Sequence, residues 1–338
     1  MRVVVTGADG YLGRPLTAEL RRAGHEVTLL DAGLYRAAVL DEGSADTRGG
    51  DTRDLDAGFF AGHDAVVHLA ELSNDPLGEL DEGLTIDINH KGSVRLADLA
   101  AEAGVDRFLY FSSCSVYGAT GSDIVDETGP TKPLTAYARC KVAVEQDLLG
   151  HDRGDLHPIL MRNATVYGPS PALRLDLAIN EFVYDAVLGG RVNMRSAGTS
   201  WRPFVHCEDI ARAGRTLLEA PLDVVSRQII NIGSDEATVT VREAADIVAE
   251  HTGVEVHIES DSLDLRDYRV SFEKLGRLVP ELSMRPIHEG IGELVTFLQD
   301  NVEEFRSRPK DDFFRLALLK RQLEAHELDA TLRRTAQA

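Results

Sequence analysis

Tyr137 and Lys141, four residues apart in Tyr137-Ala-Arg-Cys-Lys141, are placed to do acid–base chemistry. On a helix that spacing puts both side chains on one face. An ammonium beside a phenol favours the phenolate and draws its pKa down from about 10 toward working pH. The phenol then serves as general acid and base for a hydroxyl or a carbonyl. A second group of hydroxyls lies in Phe111-Ser112-Ser113-Cys114-Ser115-Val116-Tyr117-Gly118, after an apolar run. Small hydroxyls at the C-terminal end of a strand can hold a substrate oxygen, because open α/β sheets bind ligands beyond their strand ends. A third feature is Thr6-Gly7-Ala8-Asp9-Gly10-Tyr11-Leu12-Gly13, with glycines at 7, 10 and 13. Glycine lets the backbone turn sharply and approach a pyrophosphate, and the next helix offers its free N–H groups and positive dipole end.

The spacing Gly-x-x-Gly-x-x-Gly departs by one residue from the common dinucleotide fingerprint, but it directly follows an apolar strand near the start of the chain. Asp31 stands at the end of the next apolar segment. A carboxylate there accepts hydrogen bonds from a ribose 2′-hydroxyl and repels a 2′-phosphate, so NAD is expected rather than NADP.

The elements that must position these residues alternate. Apolar runs at 2–6, 26–30, 64–69, 108–112 and 158–161 read as buried strands. Helical periodicity covers 11–23, 90–103 and 137–149, and Gly24 and Gly104 fit C-caps. Repeated βα units predict a parallel sheet covered by helices on both faces. From Pro169 the pattern changes: a helix is expected over 173–189, a return strand over 229–233, a helix over 241–252 and a short strand over 254–258. Residues 301–338 carry Phe313, Leu316, Leu319 and Leu323 on one helical face. That tail either docks on the body, forms a subunit contact or is a solvated helix pair.

The 338 residues are long enough for about two domains. A hydrophobic fraction of 43% argues for a globular chain, and no apolar run is long enough for a transmembrane helix. No secretory leader is expected at the N-terminus, and a cytoplasmic setting suits the cysteines. The three cysteines, Cys114, Cys140 and Cys207, show neither disulfide nor zinc spacing. His68, Cys140 and His206 read as packing residues, and no metal site is expected. The formal charge of −20 disfavours nucleic acid and anionic membranes as partners. An anionic small ligand then needs local donors or arginines.

These motifs together resemble the extended short-chain dehydrogenases/reductases of the nucleotide-sugar epimerase/dehydratase type. The matching segments are TGADGYLG at 6–13, Asp31, GDTRD at 50–54, HLA at 68–70, Asn89, SSCSVYG at 112–118, YARCK at 137–141, RNATVYGPS at 162–170 and RPFVHCEDIA at 202–211. The resemblance spans about residues 1–300. It implies an α/β fold with a Rossmann-type doubly wound parallel sheet over 1–168, with return segments near 200–235. A smaller substrate-binding lobe would cover 169–300, with the helical tail beyond. It implies NAD against Tyr11 and Leu12, with Asp51 and Thr52 beside the adenine. Leu69 and Ala70 would line the channel, and Asn89 and Ser112 would sit near the nicotinamide half. Ser113, Tyr137 and Lys141 would be catalytic, Lys141 also reaching the ribose. A nucleoside-diphosphate sugar would meet Ser113, Thr165, Asn180 and Arg202, the last on its diphosphate. A homodimer through a helix pair including Tyr137–Leu149 is also implied.

Departures narrow the reaction. In the 4,6-dehydratases of this type an Asp-Glu pair follows the catalytic serine or threonine, and here Cys114 and Ser115 stand there. Decarboxylases usually keep a glutamate at the second position. Cys114 is either a reactive thiol or small filler. A serine, a tyrosine, a lysine and NAD suffice to oxidise a sugar hydroxyl, so the expected activity is 4-epimerisation of a UDP- or dTDP-sugar through a transient 4-keto sugar. A 4-ketoreductase using external NAD(P)H is the alternative. A dehydratase or decarboxylase using Cys114, and a non-catalytic nucleotide sensor, rank below it.

Overall fold

The computed structural model describes residues 1–41, 46–78, 80–121, 123–260 and 267–335. Its centre is a seven-stranded parallel sheet of β1 (Arg2–Thr6), β2 (Glu26–Asp31), β3 (Arg48–Gly49), β4 (Ala65–His68), β5 (Arg107–Ser113), β6 (His157–Asn163) and β7 (Ile229–Ile232). The spatial order is β7-β6-β5-β4-β1-β2-β3, so the chain reverses direction across the sheet at β1. In register, Val5 lies opposite both Leu29 and Val67.

The period-two rule explains the continuous apolar runs. Val3 and Val5 face one side with Leu16, Leu20, Ile210 and Leu217, from helices α1 (Gly13–Arg22) and α5 (Cys207–Glu219). Val4 and Val66 face the other with Leu96, Ala100, Val144 and Leu148, from α2 (Ser93–Glu102) and α3 (Ala136–Gly150). Both faces are covered, so each strand must be apolar throughout. The expected doubly wound α/β fold is therefore present.

A second core gathers α4 (Ala178–Gly189), α6 (Val241–Thr252) and α7 (Ile287–Asp300) beside a three-stranded sheet of Thr165–Tyr167, Trp201–His206 and Thr238–Thr240. α4 begins at Ala178, five residues later than the apolar pattern predicts; Leu173 and Leu175 are buried outside the helix. The α2 region also differs, because its helix is preceded by a π-helical stretch over Ile86–Gly92.

The carboxy-terminal segment docks on the body, and the solvated alternative does not hold. Phe305 and Phe313 enter the second core, their rings 5.1 Å apart. After α8 (Arg315–Glu324) the chain turns back, and Leu319, Leu328 and Leu332 bury against Leu72 and Leu77. Arg334 donates to the Gly33 carbonyl at 2.6 Å and Arg53 to the Thr331 carbonyl at 2.9 Å. Among the described residues no helix is long and apolar enough to cross a membrane.

Candidate active site

One cleft of about 1000 Å³ runs beyond the C-terminal ends of the sheet strands, and the glycine turn, Asp31 and Tyr137 all line it. The turn is sterically specified. Gly7 has φ of +73° and a Cβ there would lie 2.9 Å from the Ala70 nitrogen. A Cβ on Gly13 would fall 2.2 Å from the Gly7 carbonyl oxygen. The turn therefore packs with no space between β1, α1 and the loop after β4, as a diphosphate cradle at a helix start requires. Asp31 accepts from the Gly33 amide at 2.7 Å and the Asp9 amide at 3.1 Å. Burial, more than these bonds offset, raises its carboxyl above the usual range. Asp51 caps the short turn Thr52–Asp54; burial pushes its carboxyl up, but bonds from Arg53 outweigh this and hold it low. Thr52, Leu69, Ala70, Tyr11 and Leu12 also line the cleft. Glycine turn, acidic strand end and channel residues thus fit a dinucleotide.

At the other group of hydroxyls, β5 ends at Ser113 and α3 begins beside it. The Thr135 side chain caps α3, accepting from the Ala138 amide at 3.2 Å and donating to Asp75 at 2.5 Å. Ser113 and Tyr137 line the cleft together, and the serine hydroxyl is near enough to act on the phenol. The Lys141 ammonium lies 5.5 Å from the Tyr137 ring centroid. It donates to the Phe111 carbonyl at 2.5 Å and to the Glu71 carboxylate. Glu71 also accepts from the Tyr110 hydroxyl at 2.9 Å and from Ser93 at 3.0 Å.

This pairing corrects the expectation of an acidified phenol. Burial, then the carboxylates of Glu71 and Asp75, push the Tyr137 hydroxyl well above its ordinary range, against the Ser113 bond and the Arg174 charge. The ammonium is present, but Glu71 neutralises its field.

Other expected contacts are redirected. Asn89 is fully buried and spends its amide on the Leu72 backbone, accepting from the N–H and donating to the carbonyl, both at 2.9 Å. It braces the loop after β4 and does not line the cleft. Asn180 is likewise fully buried, accepting from the Gly168 amide at 3.0 Å and donating to the Tyr11 hydroxyl at 3.1 Å. It ties α4 to the glycine turn and does not line the cleft. Ser112 lines the cleft but donates its hydroxyl to Glu145 at 2.5 Å, within a buried network where Arg162 also meets Glu145. Thr165 and Arg202 do line the cleft, and the Arg202 guanidinium lies 5.1 Å from the Tyr268 ring centroid. Cys114 is fully buried, donates to the Arg162 carbonyl at 3.2 Å, and burial pushes its thiol up. Filler, not reactivity, describes it.

Several cleft residues were not singled out from the sequence: Glu71, Arg174, Asp176 and, from the tail, Arg315. A charged residue directly after the HLA motif was the available signal for Glu71. Nothing local marks Arg315. Away from the cleft, His206, Glu208 and Glu293 bring ligand atoms within 4.8 Å of one another. The Arg285 guanidinium already spans them, at 2.8 Å from Glu293 and 3.0 Å from Glu208, so the group is an ion-pair cluster.

Comparison with known proteins agrees with this geometry. The family model described as the NAD dependent epimerase/dehydratase family matches residues 3–233. A UDP-glucose 4-epimerase of Mycolicibacterium smegmatis is 29% identical over 316 residues, covering 89% of this chain and 99% of that protein. A dTDP-glucose 4,6-dehydratase of Streptomyces niveus is 30% identical over 237 residues, covering 64% of this chain and 69% of that protein. Among solved structures, MoeE5 in complex with UDP-glucose and NAD superposes with a TM-score of 0.78 at 28% identity, covering 89% of this chain and 100% of that one. With that match across most of its length, and the glycine turn, serine, tyrosine and lysine set in one cleft, the chain belongs to the NAD dependent epimerase/dehydratase family.

Proposed function

We propose that the chain epimerises a UDP- or dTDP-sugar at C4 by transient oxidation to a 4-keto sugar. The observation that carries this reading is the hydroxyl pair Ser113–Tyr137 beside Lys141, with no carboxylate at the two positions after Ser113. Cys114 faces away into the core, and Ser115 lines the cleft with a hydroxyl that has no partner among the described residues. Elimination of water needs an acid and a base there, whereas oxidation of a hydroxyl does not. UDP-sugar 4-epimerases among the similar proteins support the same choice.

NAD, the family's cofactor, would supply the hydride acceptor and donor when bound, and the positive charge of its oxidised ring would favour the Tyr137 phenolate. Tyr137 takes the proton of the C4 hydroxyl, and Ser113 holds the same oxygen and passes the proton along the pair. Lys141, fixed by Phe111 and Glu71, orients the site with its ammonium 5.5 Å from the phenol ring centroid. Arg202 is the residue proposed to hold the substrate diphosphate, by bidentate guanidinium pairing.

The test is incubation with UDP-glucose, UDP-glucuronate and dTDP-glucose, with catalytic NAD, reading the C4 configuration by NMR. The expected result is epimer formation with no net NADH change. Tyr137→Phe should lower kcat by about 10²–10⁴-fold. Product formed only in proportion to added NADH would instead establish the ketoreductase.

A further inference from the structure

Among the described residues, the buried polar atoms without a hydrogen-bond partner include a group of three: Nη2 of Arg174, Nη1 of Arg315 and the Tyr35 hydroxyl oxygen. All three residues line the cleft. Arg315 is 2% exposed and Arg174 6%. The Arg315 guanidinium stacks 3.9 Å from the Tyr35 ring centroid. Arg174 gives Nε to Asp176 at 2.9 Å and Nη1 to Ser73 at 3.1 Å, which leaves its Nη2 edge free. Asp176 in turn accepts from Asn74 at 2.5 Å. Buried cations with unused donors are costly unless something completes them. Here they are also close enough to oppose each other, since burial first and the Arg174 charge second bring the Arg315 guanidinium down to about 10. A doubly charged anion with several acceptor oxygens answers both deficits.

The position of these groups selects the anion. Arg315 stacks on Tyr35, four residues after Asp31, while Arg174 is bonded to Ser73, in the loop whose Asp75 holds Thr135 beside Tyr137. A dinucleotide stretched from Asp31 to Tyr137 would place its diphosphate between these arginines. The segment that delivers Arg315 is held in place by Leu319, Leu328 and Leu332 against Leu72, and by Arg334 on Gly33. It also lies outside the part of the chain matched by the family model.

We propose that the carboxy-terminal segment completes the cofactor site: Arg315, with Arg174 and the Tyr35 hydroxyl, forms a pocket for the diphosphate of NAD. The pocket chemistry suits any diphosphate, including that of a sugar nucleotide, so the test has an arm for each. The inference rests on the family's use of NAD and not on the 4-epimerase reading, and its readout is binding, not turnover.

Titration calorimetry of the full-length chain with NAD and separately with UDP-glucose decides it. Arg315→Gln should raise the Kd for NAD by about 10-fold or more, the range of a lost charge-assisted contact, and leave UDP-glucose binding unchanged. Arg315→Lys should recover part of the loss. Arg174→Gln, on a different element, should reproduce the selective loss if the Arg315→Gln chain fails to fold. Unchanged NAD binding in both glutamine variants overturns the proposal. A loss confined to UDP-glucose also overturns it and gives the pocket to the substrate. Equal loss of both ligands in a folded variant overturns it as general damage.

Discussion

Glu71 changes what Lys141, the lysine proposed for catalysis, can do. Side chains of Lys141 and Glu71 are only 5% and 3% exposed, so their pairing is scarcely screened by water. The carboxylate fixes the ammonium and, by its own charge, holds the Tyr137 proton on. The sign follows directly. A phenol acting as base gains activity as pH rises toward its pKa, and Glu71 moves that pKa up. Glu71→Gln removes the negative charge and frees the ammonium, and both changes favour the phenolate. The rising limb of the kcat/KM profile should therefore move to lower pH. A limb that stays in place or moves to higher pH would show that Glu71 exerts no such control.

At the scale of elements, the tyrosine is placed by the fit of one short helix against another. Gly78, at the end of Asp75–Gly78, faces the first turn of α3, and a Cβ there would lie 2.9 Å from the Tyr137 nitrogen and 3.0 Å from its Cβ. Gly78→Ala must push α3 or the 75–78 turn by a few tenths of an ångström. Small displacements of a reacting group are expensive, up to about 10²-fold for roughly 1 Å. We expect kcat to fall by about 10-fold or more while the circular dichroism spectrum remains that of the parent. An alanine variant with unaltered kcat would mean that the contact does not set the phenol's position.

For the whole molecule, buried histidines couple stability to pH. His68 joins β1, β4 and α2, with Thr6 at 2.7 Å from Nδ1 and Ser93 at 2.8 Å from Nε2. Burial, the first cause, takes its pKa down from 6.5 to about 4. The unfolded chain therefore binds a proton that the folded chain refuses between those values. Stability from this group is complete above pH 6.5 and is lost as pH falls toward 4, at up to about 1.4 kcal/mol per pH unit. His68→Gln lacks that titration. The advantage of the parent over the variant, measured by urea unfolding at pH 7 and at pH 5, should shrink at the lower pH. An advantage that is the same at both would place His68 in contact with solvent. The same scale bears on how a chain of charge −20 can serve an anionic ligand: Arg174, Arg202 and Arg315 bring guanidinium donors into the same cleft.

What the sequence determined by itself is the set of features that depend on near neighbours along the chain. The βα alternation, the glycine turn before α1, Asp31 at a strand end and the four-residue step from Tyr137 to Lys141 are all local, and each was legible from spacing. The tertiary structure alone decided what those residues meet. Asn89 and Asn180 carry the polar groups of a binding site, yet folding turned them onto Leu72, Gly168 and Tyr11. The lysine met a carboxylate 70 positions away, and burial first, then that carboxylate's charge, set the phenol's shift upward. Arg315 reaches the cofactor cleft only because a tail that reads as an ordinary amphipathic helix finds Leu72 and Leu77 exposed to it. Burial and charge pairing depend on distance in space, and a single sequence records only distance along the chain.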